Sequence, residues 1–189
     1  MIDRTDPRMP RLKELIEQKA VLRGEFTLAS GLKSKYYFDG RKVTHDPEGI
    51  ALIGALVNEV LEQVEIEAVG GPATAANPIV TAVQIASFTK MQRPLQGFYI
   101  RGERKSHGTQ NLIEGNLPRT KGARVAIVED TVSTGGSLLA AIEAVEAAGC
   151  KVAKIVALVD RRQGGGDALR AKGYDYEALF EADSKGNIL

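Results

Sequence analysis

The feature that most restricts the fold is a pair of segments that are apolar at nearly every position. Residues 125–128 read VAIV, and residues 152–159 read VAKIVALV. A strand with one face in water alternates apolar and polar residues, whereas a strand of a parallel sheet is covered on both faces and stays apolar throughout. The two segments therefore predict buried strands of a parallel sheet, whose connections must be crossovers, usually helices.

Helical periodicity alternates with short apolar strands along the rest of the chain, as such a sheet requires. Asp46 and Pro47 are typical of a helix start, with Asp as the N-cap and Pro in the first turn. Gly24 is suited to end an earlier helix. The remaining predicted elements are helices over 11–20, from residue 78 and over 136–148, strands at 68–69 and 97–100, and a small N-terminal hairpin or cap from runs 26–28 and 36–38. The predicted fold class is α/β, a parallel sheet flanked by helices with a small N-terminal cap.

Length and charge limit the range of functions. The 189 residues are predicted to form a single domain over 1–189. Lys and Arg total 25 against 24 Asp and Glu, so no bulk field favours nucleic acid or an anionic membrane. No apolar run suits a signal peptide or a membrane span, and a cytoplasmic protein is expected. One cysteine, Cys150, and two histidines, His45 and His107, exclude a disulfide and a zinc cluster, so any metal is a hard ion held by oxygen.

The segment VAIVEDTVSTGGS (residues 125–137) carries the strongest chemical signal. A buried strand leads to Glu129 and Asp130, and a turn of small hydroxyl and glycine residues then opens into a helix. Backbone N–H groups that converge at a helix N-terminus bind phosphate. Acids directly before such a turn suit sugar hydroxyls or a shared magnesium ion, which indicates a ribose phosphate. The motifs GxxxxGK[ST] and GxGxxG are absent, and a merely capped strand-to-helix turn is the alternative.

The same segment resembles the signature of type I phosphoribosyltransferases. FTLASGLKSKYYFDGRKV, the loop RGERKSHG with its downstream IEG, and LVDRR are similar to orotate phosphoribosyltransferases, in the same order over roughly residues 10–180. The resemblance implies the fold of that family with an N-terminal hood. It also implies transfer of phosphoribose from 5-phosphoribosyl 1-diphosphate to orotate, which gives orotidine 5'-monophosphate and pyrophosphate in pyrimidine synthesis.

The resemblance also implies roles for single residues. Glu129 and Asp130 would bind the ribose hydroxyls. The 5-phosphate would be bound by a continuous loop, namely Thr131, Val132, Ser133, Thr134, Gly135, Gly136 and Ser137. Orotate would be bound by Tyr37, Phe38, Ser133 and Arg161, whose guanidinium can pair with a carboxylate through two hydrogen bonds. The alternatives are core packing for the two aromatic residues and a salt bridge to Asp160 for Arg161.

Residues 102–116 resemble a catalytic loop that closes over the neighbouring active site of a homodimer. Arg101, Lys105 and His107 match its cationic positions and, with Asp130, are the predicted catalytic residues. Cations together with Mg²⁺ would stabilise the charge on departing pyrophosphate, with the metal held mainly by substrate oxygens. Taken alone, this loop is also compatible with a solvated charge run.

Three positions depart from the pattern: Gly102 stands where the family commonly has lysine, and Ala29 and Ala75 stand where some members have it. Residues 71–75 remain a candidate backbone contact to pyrophosphate. Two other functions stay open, a phosphoribosyltransferase for another base and a non-catalytic regulator that senses the ribose diphosphate. A basic surface or an added nucleic-acid-binding segment would favour the regulator, and the balanced charge does not provide one.

Overall fold

The computed structural model describes residues 2–27, 33–91, 94–102 and 112–189. Within these residues a six-stranded sheet has the order β5-β4-β3-β6-β7-β8, and a separate two-stranded hairpin pairs β1 with β2. The strands are β1 (Val21–Thr27), β2 (Lys33–Phe38), β3 (Ala68–Pro72), β4 (Gln96–Ile100), β5 (Ile113–Gly115), β6 (Arg124–Val132), β7 (Lys151–Asp160) and β8 (Tyr176–Glu181). All pairings in the large sheet are parallel except that of β4 with β5. The predicted α/β class and the predicted N-terminal hairpin are therefore confirmed.

Helices cover both faces of the sheet. They are α1 (Arg8–Leu15), α2 (Arg41–Thr44), α3 (Pro47–Glu62), α4 (Asn77–Met91), α5 (Gly136–Ala147) and α6 (Gly165–Ala171). The buried residues of α1, α3 and α4 form one apolar cluster with the sheet, and those of α5 form a second cluster on the opposite face. Both β6 and β7 are buried along nearly their whole length, as their uninterrupted apolar sequences predicted.

The start of α3 follows the predicted chemistry. The Asp46 carboxylate accepts a hydrogen bond from the Gly49 N–H at 2.9 Å, and Pro47 lies in the first turn. Lys19 also forms an ion pair with Asp46. Asp46 therefore satisfies an amide that the helix leaves without a partner, and it links α3 to the helical turn that contains Lys19.

The first helix differs from its prediction. It begins at Arg8 rather than at residue 11, and it ends in a π-helical turn, Ile16–Ala20. Gly24 does not end it, because strand β1 starts at Val21 and Gly24 lies inside that strand. The pairing with β2 shifts register between Arg23 and Phe26, so the glycine falls at a β-bulge.

Four elements had no prediction: α2, α6, β5 and β8. All four are only three to seven residues long, and β8 becomes recognisable as a strand only through its parallel pairing with β7. No helix in the described ranges has the length and apolar character needed to cross a membrane.

Candidate active site

The two consecutive acids Glu129 and Asp130, here called the acid pair, lie where the strand order of the sheet reverses direction. The chain passes from β3 outward to β4 on one side, and from β6 outward to β7 on the other. In open α/β sheets, ligands bind beyond the carboxyl ends of the strands at this reversal. Strand β6 continues through Glu129 and Asp130 to Val132, so the sheet itself fixes both acids.

Both carboxyl groups are buried, with 5% of Glu129 and 8% of Asp130 exposed. Burial first, and then the negative charge of Asp130, raises the pKa of Glu129 to about 8. Burial also raises the pKa of Asp130. The Asp130 N–H donates to Glu129 Oε1 at 3.1 Å. Burial therefore disfavours the ionised form of both acids. Such a pair suits a ligand that brings hydrogen-bond donors or positive charge, such as sugar hydroxyls or a divalent cation.

The turn after β6 has the geometry of an anion site. Gly135 adopts a left-handed backbone with φ 79°, which a glycine reaches without steric cost. Helix α5 then starts at Gly136, with no side-chain cap and no acidic residue in its first turn. Its first N–H groups and its dipole are therefore available to a phosphate. Thr134, Gly136 and Ser137 are exposed around this turn, and Ser133 is half-buried.

A cleft lies at the ends of β3 and β4, on the β3 side of the acid pair. Its volume is about 400 Å³, and its lining comprises Ala73, Thr74, Asn77, Tyr99, Arg101 and Gly102. Arg101 Nε and Asn77 Oδ1 are buried without a hydrogen-bond partner among the described residues. A buried polar atom left in this way is costly, so both residues are candidates for contact with a ligand in this cleft. This places the predicted residues Arg101 and 71–75 next to each other.

Arg161 follows the end of β7 on the other side of the acid pair. Its N–H donates to the Val132 carbonyl at 2.8 Å, and its guanidinium lies 5.3 Å from the ring centre of Tyr36. Arg161 Nη2 donates to the Tyr36 hydroxyl at 3.3 Å, while Arg161 Nε is buried without a partner in the described part of the chain. The Asp160 carboxylate accepts hydrogen bonds from the Arg162 N–H and the Tyr176 hydroxyl. A salt bridge between Asp160 and Arg161 therefore does not explain the position of Arg161.

The aromatic residues of β2 divide between two faces, because strand residues alternate. Tyr36 and Phe38 are buried with 5% and 6% exposed, whereas Tyr37 is 37% exposed and packs against Phe26 at 5.7 Å between ring centres. The structure therefore does not place Tyr37 and Phe38 side by side on one surface. It brings Tyr36 to Arg161 instead. The alternation of the KYYF segment was the available sequence signal for Tyr36.

Gly40 connects the hairpin to the acid pair. A side chain at this position would meet Asp130 Oδ2 at 2.7 Å and Thr131 Oγ1 at 3.1 Å, so the glycine backbone packs directly against the acid. Asp39 and Arg41, which form an ion pair at 2.7 Å, flank it. Lys105, His107 and Ala29 lie outside the described residues, and their predicted positions stay predictions.

Comparison with known proteins agrees with this geometry. The phosphoribosyl transferase domain model matches residues 41–177. The orotate phosphoribosyltransferase of Nostoc sp. is 42% identical over 90% of this chain and 81% of its own length. That of Streptomyces avermitilis is 39% identical over 93% of this chain and 95% of its own length. This chain belongs to the phosphoribosyltransferase family.

The crystal structure of Mycobacterium tuberculosis H37Rv orotate phosphoribosyltransferase in complex with 5-phospho-alpha-D-ribosyl 1-diphosphate superposes with a TM-score of 0.77. It is 34% identical to this phosphoribosyltransferase, over 93% of this chain and 96% of that chain. The family and the fold predicted from the sequence motifs are confirmed.

Proposed function

We propose that this enzyme transfers the phosphoribosyl group of 5-phosphoribosyl 1-diphosphate to orotate, with release of pyrophosphate, as a step of pyrimidine nucleotide synthesis. The predicted enzyme class, a pentosyl-transferring glycosyltransferase, is confirmed by the orotate phosphoribosyltransferases among its relatives. The observation that carries the proposal is the buried pair Glu129 and Asp130 directly before an uncapped helix N-terminus, with the Arg161 backbone hydrogen-bonded to Val132 of the same segment.

In this proposal the turn between β6 and α5 binds the 5-phosphate. The backbone N–H groups of residues 134–137 and the dipole of α5 supply hydrogen bonds and positive potential. Asp130 and Glu129 accept hydrogen bonds from the ribose hydroxyls, which offsets the burial that raises their pKa values. The diphosphate extends into the cleft beside Arg101 and Asn77, whose buried polar atoms it would satisfy.

Arg161 recognises the base. Its guanidinium is held against the Tyr36 ring and hydroxyl, and a planar guanidinium can donate two parallel hydrogen bonds to the carboxylate of orotate. A neutral purine or uracil lacks that carboxylate. This contact therefore favours orotate over the bases used by related enzymes.

The reaction breaks the bond from C1 of the ribose to the diphosphate oxygen, which leaves with the electron pair. The ring nitrogen of orotate gives up its proton, which the departing pyrophosphate takes up, and forms the new bond to C1. Negative charge grows on the leaving group, and the guanidinium of Arg101 would stabilise that charge. Lys105 and His107, within residues 102–116, would supply further positive charge. Closure of that segment would exclude water, which competes with orotate for the ribosyl centre.

Mg²⁺ is the proposed cofactor. The described residues contain no group of three or more His, Cys, Asp or Glu side chains able to hold a metal ion. Mg²⁺ retains water and often binds through one or two carboxylates together with substrate phosphates, so the substrate would supply most of its ligands. The adjacent acids Glu129 and Asp130 suit a nearby divalent cation. The bound ion would neutralise charge on the diphosphate.

A homodimer is the proposed assembly. Helix α4 has no charged residue from Asn77 to Thr89, and its outer face exposes 60% of Ile85 and 68% of Phe88. Exposed apolar side chains that adjoin one another on a surface can mark a site of protein–protein interaction. The start of α4 lines the cleft beside Arg101, so a second copy packed on this helix would approach the site. A cytoplasmic location stays a prediction.

The test is a turnover assay with purified protein, Mg²⁺ and 5-phosphoribosyl 1-diphosphate, in which loss of orotate absorbance is followed. Uracil, adenine and hypoxanthine are assayed in parallel. Turnover of orotate alone is the expected result, and Asp130→Asn should weaken binding of the ribose diphosphate. The Lys105→Ala variant should turn over more slowly with its fold intact.

Two other outcomes would replace the proposal. Turnover of a different base would keep the phosphate site and reject the role given to Arg161. No turnover of any base, with ribose diphosphate still bound, would favour the regulator. Salt-sensitive binding of RNA or DNA would then identify its partner.

A further inference from the structure

The turn that follows Arg161 has a strained backbone. Arg162 adopts φ 53°, and within the described residues it is the one non-glycine position with positive φ. The left-handed conformation is unfavourable for a residue with a side chain, because its Cβ atom comes too close to the following carbonyl oxygen. Such a conformation persists only where neighbouring groups hold it, and it clusters at functional sites.

Asp160 holds this turn. Its Oδ1 accepts a hydrogen bond from the Arg162 N–H at 2.8 Å, and its Oδ2 accepts one from the Tyr176 hydroxyl at 2.9 Å. Asp160 and Tyr176 are 5% and 4% exposed. A side chain at Gly166 would overlap the Asp160 carboxylate and meet the Tyr176 ring at 2.6 Å, so the carboxylate is closely enclosed. An acid that bonds the N–H two residues later forms a local turn of its own.

The same turn is fixed to the phosphate-binding segment at two points. The Arg161 N–H donates to the Val132 carbonyl at 2.8 Å, and the Gly165 N–H donates to the Ser133 carbonyl at 2.9 Å. A side chain at Gly165 would meet the Ser133 oxygen at 2.6 Å, so only glycine permits this approach. Both ends of the turn are therefore hydrogen-bonded to the segment 132–133, and Arg162 lies between them.

We propose that Asp160, oriented by the Tyr176 hydroxyl, is a positioning residue that sets the direction of Arg161 toward the base. Asp160 does this through the backbone of Arg162. Its two oxygens are engaged by an amide and a phenol, so the charge of Arg161 stays available to a substrate carboxylate. The inference rests on the proposed role of Arg161 in orotate recognition.

The central variant is Asp160→Ala combined with Tyr176→Phe. Removing both partners leaves no buried hydroxyl without an acceptor, which limits the loss of stability. The Arg162 N–H then loses its acceptor, and the turn relaxes. We expect the KM for orotate to rise about tenfold, while kcat and the KM for the ribose diphosphate change less than about threefold, because the loss concerns base binding.

Position 162 provides the rescue and its matched control. Arg162→Gly, added to the double variant, should return the KM for orotate most of the way to the parent value, since glycine adopts positive φ without a steric penalty. Arg162→Ala removes the same side chain, including its 3.5 Å pair with Glu181, but keeps the Cβ atom. It should give no rescue. Asp160→Asn, which keeps an acceptor for the Arg162 N–H, should retain a KM near that of the parent.

The steady-state kinetics of the two substrates, measured beside the melting temperature, decide between the outcomes. A folded double variant with an unchanged KM for orotate and a lower melting temperature overturns the inference, as does an equal effect of Gly and Ala at position 162. If the double variant does not fold, Tyr176→Phe alone takes its place, and an unchanged KM for orotate then overturns the inference as well. A parent enzyme that does not use orotate contradicts the proposed function instead, so the two failures are distinguishable.

Discussion

Glu129 and Asp130 are consecutive residues, and both side chains are buried at the end of β6. Their burial makes the free protein sensitive to pH. Folding raises the pKa of Glu129 from its ordinary value of 4.5 to about 8. Between these values the folded state holds a proton that the unfolded state has lost. The free energy of unfolding therefore decreases as the pH rises from about 4.5 to about 8, and this contribution is constant above that range.

Glu129→Gln should remove most of this pH dependence, because the amide does not ionise. We expect the variant to gain stability relative to the parent at pH 8 and to differ little from it at pH 5. Denaturant unfolding of the substrate-free protein at a series of pH values measures the effect. An identical pH slope in parent and variant would contradict the raised pKa. Glu65→Gln, at an exposed acid, serves as the control.

At the scale of single elements, α3 depends on its N-cap. Asp46→Ala removes the acceptor of the Gly49 N–H and the partner of Lys19, and we expect a loss of about 1 kcal/mol in the free energy of unfolding. For a protein of this size that corresponds to a drop of roughly 2–4 °C in melting temperature. Calorimetry of Asp46→Ala beside the exposed control Glu65→Ala measures it. Equal melting temperatures would show that the cap contributes nothing.

The proposed dimer belongs to the scale of the whole molecule. Ile85→Glu with Phe88→Glu places two charges on the outer face of α4, where a partner helix would have to bury them. We expect the variant to sediment as a monomer of half the parent mass. We also expect it to lose orotate turnover, since the proposed catalytic segment, residues 102–116 of the neighbouring subunit, is then missing. Thr89→Glu, at an exposed position on the same helix, is the milder comparison. An unchanged mass would reject α4 as the interface.

A mixing experiment tests whether the catalytic segment acts between subunits. Lys105→Ala and Asp130→Asn are each expected to turn over poorly alone. After unfolding and refolding together, random pairing of two such subunits should restore roughly a quarter of parent activity, because half of the dimers contain one intact site. No recovery in a mixture that forms dimers would show that each subunit uses its own segment.

The sequence by itself determined the buried parallel strands, the start of α3 and the position of the acid pair before the glycine-containing turn that opens into α5. These features depend on residues that are close together in the chain, such as Asp46 with Gly49 or Glu129 with the glycines that follow it. Local periodicity and turn chemistry express such interactions directly, so they could be predicted. The motifs also led to the correct family.

The tertiary structure decided what depends on contacts between distant segments. It brought Tyr36 of β2 to Arg161 after β7, and it buried Phe38 while leaving Tyr37 exposed. In the folded chain Asp160 accepts a hydrogen bond from Tyr176 rather than pairing with Arg161, and the Gly40 backbone packs against the Asp130 carboxylate. The strand β8 and the bulge at Gly24 likewise follow from pairing with other strands. Hydrogen bonds and packing between residues of different elements leave no periodic trace in the sequence, and only the folded chain specifies them.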